Sequence, residues 1–148
     1  MLRTLSLGRC FATLAFALFG TIAFAPNVAA ADVPNAEHAK MVQDCAKACS
    51  DCQRICDMCV THCAQMLSEG KKEHMAALAH CADCSSFCAA ASQIVARGGP
   101  MSKLICASCG DCCAKCAAEC EKVPGDAHMK ACAEECRRCE TICKAMAK

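Results

Sequence analysis

Residues 45–63 read CAKACSDCQRICDMCVTHC, with cysteines at Cys45, Cys49, Cys52, Cys56, Cys59 and Cys63 separated by gaps of four, three, four, three and four. Such gaps keep every member on one stripe of an α-helix, within an arc of roughly 80° at 100° per residue. They are also the spacing by which a coiled-coil seam places its core residues. A thiol therefore stands at each position where a leucine would ordinarily pack.

The pattern recurs down the chain. Cys81, Cys84 and Cys88 form a second set, and Cys106, Cys109, Cys113, Cys116 and Cys120 a third, with Cys112 beside that stripe. Cys132, Cys136, Cys139 and Cys143 form a fourth. Punctuation divides these sets into four helical segments. Asn35 caps a helix running to Leu67 before Gly70, and a second helix runs from Lys72 to Arg97 before "GGP". A third spans Met101 to Lys122, and after "PGD" Asp126 caps a fourth that reaches Ala147. Nothing reads as a strand. Short connections imply antiparallel neighbours, so the expected fold is all-α, an up-down-up-down four-helix bundle with a cysteine-lined core. The residues between the thiols, among them Asp51, Gln53, Arg54, Lys115, Glu119 and Arg137, form a solvated outer face.

Composition supports the thiol core. Residues 1–31 read as a cleavable export signal: Arg3 and Arg9, an apolar run over 10–25, then small residues before a cleavage point after Ala30 or Ala31. The apolar run is short for a membrane span. The domain, residues 32–148, then keeps 19 of 20 cysteines and only thirteen Leu, Ile, Val and Phe residues. So few large apolar side chains would ordinarily point to disorder, so something other than aliphatic packing must fill the interior. Its 14 basic residues face 15 acidic ones, which gives no electrostatic footprint for nucleic acid or an anionic membrane.

Several chemistries compete for such thiols. Cysteines three or four apart on one helix point the same way and are badly disposed to bridge each other. A disulfide-stapled structural or interaction protein would need bridges between helices, and an odd number of cysteines leaves one free. Structural zinc and iron–sulfur sites prefer four thiolates from turns and loops, whereas every CxxC here lies inside a helix. A thioredoxin-like site needs one CxxC at a helix start beside a sheet. No Ser/His/Asp set, paired carboxylate or Gly-rich phosphate loop is apparent, so the chain reads as a binding protein and not an enzyme. Cu(I) fits best: it is soft, prefers thiolate and thioether, and accepts two or three sulfurs. Sharing sulfurs along the seam would let these thiols hold on the order of ten or more ions. Sequestration of other soft ions, zinc or silver, is the near alternative. At the ends of the same arcs lie His38, Met41, Met66, His74, Met129 and Met146, softer ligands suited to transfer; His80 and His128 read as surface residues.

These features together resemble the bacterial copper storage proteins, exported four-helix bundles that fill their core with Cu(I). The segment CVTHCAQML, Cys59 to Leu67, is similar to the end of that family's first helix. The resemblance implies that His62, Cys63 and Met66, with Met75 across the short loop, stand at an open mouth where copper enters and leaves; His74 and Met129 are further candidates there. Helical arcs alone leave both ends open and put His62 on a flank. The resemblance also implies a homotetramer, a periplasmic or extracellular location, and exchange with a copper donor or acceptor protein. Two features depart from the family. Glu69 and Lys71 stand where more methionine is expected, and Gly8 replaces the first arginine of a twin-arginine signal, which leaves the export route open.

Overall fold

The computed structural model describes residues 35–148; the export signal expected over residues 1–31 lies outside them. The described residues form four α-helices, α1 (Ala36–Ser68), α2 (Met75–Ala96), α3 (Ser102–Cys120) and α4 (Ala127–Met146), and no strand. None of these helices is long and apolar enough to cross a membrane.

Each boundary has a local cause. The Asn35 side chain accepts from the Glu37 amide at 3.2 Å and opens α1. Two helices end in the same hydrogen-bonded C-terminal motif. In α1, Gly70 at φ +86° donates to Leu67 and Lys71 to Met66; in α2, Gly98 at φ +60° donates to Val95 and Gly99 to Ile94. A left-handed residue at each stop suits glycine. Asp126 caps α4 by accepting from the amides of His128 and Met129 at 2.8 and 3.2 Å. One boundary differs from the sequence expectation. Lys72–His74 form a separate 3-10 turn, and α2 begins at Met75. Lys71 offers no side-chain cap, and the tighter turn lets the chain reverse within a few residues of Gly70.

The helices pack as a ring. α1 touches α2 and α4, and α3 touches α2 and α4, while neither diagonal pair meets through its backbone. Across the diagonals only side chains meet: Cys45 to Cys106 and Cys52 to Cys113 join α1 to α3, and Cys81 to Cys132 joins α2 to α4. This is the antiparallel four-helix bundle expected from the cysteine stripes. Of all the Leu, Ile, Val and Phe side chains described, only Val95 is fully buried. The remaining core is cysteine, with Ala48, Ala77, Ala91, Ala117, Ala133, Met129 and Met146. Outside, ion pairs such as Arg138–Asp51 and Arg137–Glu121 join neighbouring helices at exposed positions, where each adds little stability.

Candidate metal centre

Eighteen of the nineteen described cysteines are buried, and Cys112, beside its stripe, is half-buried. All nineteen are free thiols. Their sulfurs form a continuous column. Cys45 and Cys106 lie 3.6 Å apart at one end, followed by Cys49–Cys143 at 3.4 Å, Cys52–Cys136 at 3.7 Å and Cys88–Cys109 at 3.6 Å. Beyond these come Cys84–Cys113 at 3.6 Å, Cys56–Cys136 at 3.7 Å and Cys81–Cys116 at 3.6 Å. A disulfide would require about 2.0 Å. With metal–sulfur bonds near 2.3 Å, two sulfurs on one ion stand about 3.8 Å apart in tetrahedral and about 4.0 Å in trigonal geometry. The column is thus spaced for metal with little movement of the helices.

The sulfurs also overlap in membership. Cys49, Cys109, Cys139 and Cys143 make one quartet, and Cys59, Cys81, Cys120 and Cys132 another. Cys52, Cys56, Cys84 and Cys136 share members with Cys52, Cys84, Cys88 and Cys113, and with Cys56, Cys116, Cys132 and Cys136. Closed four-sulfur cages could not all be filled at once. Ions that take two or three sulfurs and share them could tile the column.

Hydrogen bonds between neighbouring thiols shift them in both directions. Hydrogen bonding from Cys116, and also from Cys59 and Cys81, draws the Cys120 thiol down to about 5. Cys84 is drawn well down by Cys112 and Cys113, and Cys139 by Cys109 and Cys113. Cys56, next to Cys116, and Cys88, next to Cys109, are pushed far up. Burial raises Cys63, which has fewer sulfur neighbours. Metal uptake must expel the protons that these sulfurs carry.

The two ends of the column differ. At the C-terminal end of α1, the Met129 thioether lies 3.6 Å from the Cys59 sulfur and 3.7 Å from that of Cys63. His74, only 2% exposed, turns inward here from the 3-10 turn. Its Nε2 lies 3.1 Å from Asp126 Oδ2, and the His62 Nε2 lies 2.6 Å from the same oxygen. The His128 ring stacks on His62 with centroids 4.3 Å apart. Burial opposes ionisation of Asp126, but hydrogen bonds from His62, His74 and two backbone amides outweigh it and hold the carboxyl well below its usual range.

The structure thus brings His62, Cys63, His74 and Met129 to one end. Met66 is half-buried with its sulfur 3.3 Å from the Lys71 ammonium. Met75 is 59% exposed, since α2 starts with it after the 3-10 turn has carried His74 inward. At the opposite end His38 and Met41 are exposed, and Met146 is buried in the core. Sequence reasoning gave Asp126 only a capping role. The signal it lacked was long-range, since His62 lies 64 residues from the aspartate it meets.

A helical bundle whose inward faces meet through sulfur is a soft-metal-holding protein. The chain belongs to the copper storage protein family, whose family model matches residues 38–148. Among solved structures it is 32% identical to the Cu(I)-bound copper storage protein BsCsp3, with a TM-score of 0.66 over 73% of this chain and 99% of that one. It is 35% identical to apo copper storage protein 3 from Bacillus subtilis, with a TM-score of 0.61 over 70% and 96%. A Nitrosospira multiformis protein is 28% identical, with a TM-score of 0.64 over 74% and 96%. No curated protein matches the chain.

Proposed function

We propose that this chain stores Cu(I), holding on the order of ten or more ions through shared thiolates along the bundle axis and exchanging them at the His62–Met129 end. The observation that carries this is the unbroken sulfur column, with neighbouring sulfurs 3.4 to 4.0 Å apart and overlapping quartets. Overlap favours ions of low coordination number over zinc, which would claim four sulfurs each. Exchange at the His62–Met129 end is supported by its donor gradient, from thiolate through the Met129 thioether to imidazole, which weakens toward solvent. The family's exported members motivate a periplasmic or extracellular store, working as a homotetramer and trading copper with a donor or acceptor protein.

The test is an anaerobic Cu(I) titration of reduced protein against a strong Cu(I) chelator, followed by metal content and circular dichroism. Many ions per chain with little change in helicity is the expected result. Saturation at one or two ions overturns storage. Equal retention of zinc in competition with Cu(I) overturns the choice of metal.

A further inference from the structure

We propose that Asp126, His62 and His74 form a separate site for a borderline divalent cation such as zinc, set at the mouth of the thiol column. It reaches beyond the storage reading and does not depend on it.

The proton inventory around Asp126 is the starting point. Oδ1 already accepts two backbone N–H groups, from His128 and Met129. Oδ2 faces two imidazole nitrogens, His62 Nε2 at 2.6 Å and His74 Nε2 at 3.1 Å. The other nitrogen of His74, Nδ1, sits 3.3 Å from the Lys71 carbonyl oxygen. Both ring nitrogens of His74 thus face oxygens that only accept, and a neutral ring has a single N–H for the two of them. The remaining contact is closed by a second proton, on an imidazolium ring, or by a metal ion in place of the protons. One divalent ion does the work of two protons, satisfying both imidazoles and the carboxylate at once.

The surroundings match what metal sites use. A ligating histidine commonly donates its second N–H to a backbone carbonyl, which fixes the ring and its tautomer, as Lys71 does for His74. Atoms bound to one ion with bonds of about 2.1 Å stand about 3.0 to 3.4 Å apart. His74 already meets that spacing against Oδ2, and His62 has only to withdraw by a fraction of an ångström. His62 and Asp126 keep side-chain exposures of 14% and 15%, so an ion can arrive from solvent. Two imidazoles and a carboxylate suit zinc, whereas a hard carboxylate suits Cu(I) poorly. The bound ion would fasten α1, the 3-10 turn and the start of α4 together. Met129, bonded through its amide to the same carboxylate, carries its thioether inward to Cys59 and Cys63.

Thiolates would capture any added divalent ion first, so the test begins by filling them with Cu(I), or with Ag(I) if copper storage itself fails. The metal content of that step reports on storage independently. Co(II) is then titrated in as the probe. The expected result is one equivalent of Co(II) per chain, with weak visible d–d bands and no thiolate-to-cobalt charge transfer in the near ultraviolet. Asp126→Asn keeps a capping side chain but loses the anion, and it should lose the cobalt site while retaining wild-type helicity. His74→Gln should lose it as well. No uptake by the wild type, a charge-transfer band from sulfur, or wild-type uptake by either variant overturns the proposal.

Discussion

The two ends of the bundle are built from different chemistry although the same four helices make both. At the end holding the N-terminus of α1, Val95 and Met146 are buried in the same core as Cys45 and Cys106, with Val42, Ile105 and Ile142 partly buried against that core. At the other end the column finishes in Cys63 and Met129, then His74, His62 and Asp126. One end is an apolar plug, in which the buried soft ligand besides cysteine is the Met146 thioether. The other grades from buried sulfur to a carboxylate in contact with solvent. Val95, the one fully buried aliphatic side chain among the described residues, lies toward the first end, and the buried His74 imidazole lies at the other.

The largest effect should come from the metal. Between plug and mouth the apo core is cysteine and alanine, small side chains that bury little apolar area. Ions that bind only the folded column add their binding energy to folding, on the order of 10 kcal/mol or more across many sites. Thermal unfolding followed by circular dichroism should show a large rise in Tm on Cu(I) loading, reversed by a strong chelator. An unchanged Tm would mean that the apo bundle needs no help from its cargo.

A pair of single substitutions separates the ends next. Val95→Ala removes part of the plug and should cost apo stability about 2 kcal/mol in urea unfolding, with the copper capacity unchanged. Met129→Leu keeps volume at the mouth and should cost under about 1.5 kcal/mol. If exchange runs through the mouth, it should slow Cu(I) transfer to a chelator about tenfold, the equivalent of 1.4 kcal/mol. Should Val95→Ala be the variant that alters transfer, the plug is the working end.

Much of this was legible in the sequence. The stripe from Cys45 to Cys63 gives the helix, its face and its partners, because an inward thiol seam has one periodicity whatever the tertiary detail. Gly70, Gly98 and Asp126 mark boundaries through local backbone chemistry. The arcs do not separate plug from mouth. His38 and Met41 share a stripe with Cys45, yet α1 extends beyond the cysteine layers there and leaves both exposed. His74 and Met75 are adjacent, and which one turns inward depends on a 3-10 turn that periodicity does not foretell. The meeting of His62 with Asp126 joins residues 64 apart in the sequence and has no local signature.

Acid should weaken the mouth before the plug. The Asp126 carboxyl is held below its usual range, first against burial and then by His62, His74 and two amides. A carboxyl with a depressed folded pKa contributes stability above its unfolded value and loses it as pH falls through the folded one. The loss should therefore begin below about pH 4, where the unfolded carboxyl takes its proton. Apo stability measured in urea should fall more steeply from pH 5 to pH 3 in the wild type than in Asp126→Asn. Equal slopes would mean that carboxylates elsewhere set the acid response.

The smallest effect tests the ends through their cysteines. Cys45 meets Cys106 at 3.6 Å beside the plug, and Cys63 meets only the Met129 thioether among its close sulfur contacts at the mouth. Serine in place of either keeps the approximate volume and removes one soft ligand. Each variant should lose about one ion of the ten or more expected, a difference visible by metal analysis of the loaded protein. Their kinetics should part company. Under exchange through the mouth, Cys63→Ser lies on the path of every ion and slows chelator extraction of the whole load. Cys45→Ser lies at the blind end, so it lowers the total and leaves the rate of the remainder as it was. If Cys45→Ser slowed extraction as much, ions would be leaving past Val95 and Met146, and the apolar plug would not be a seal.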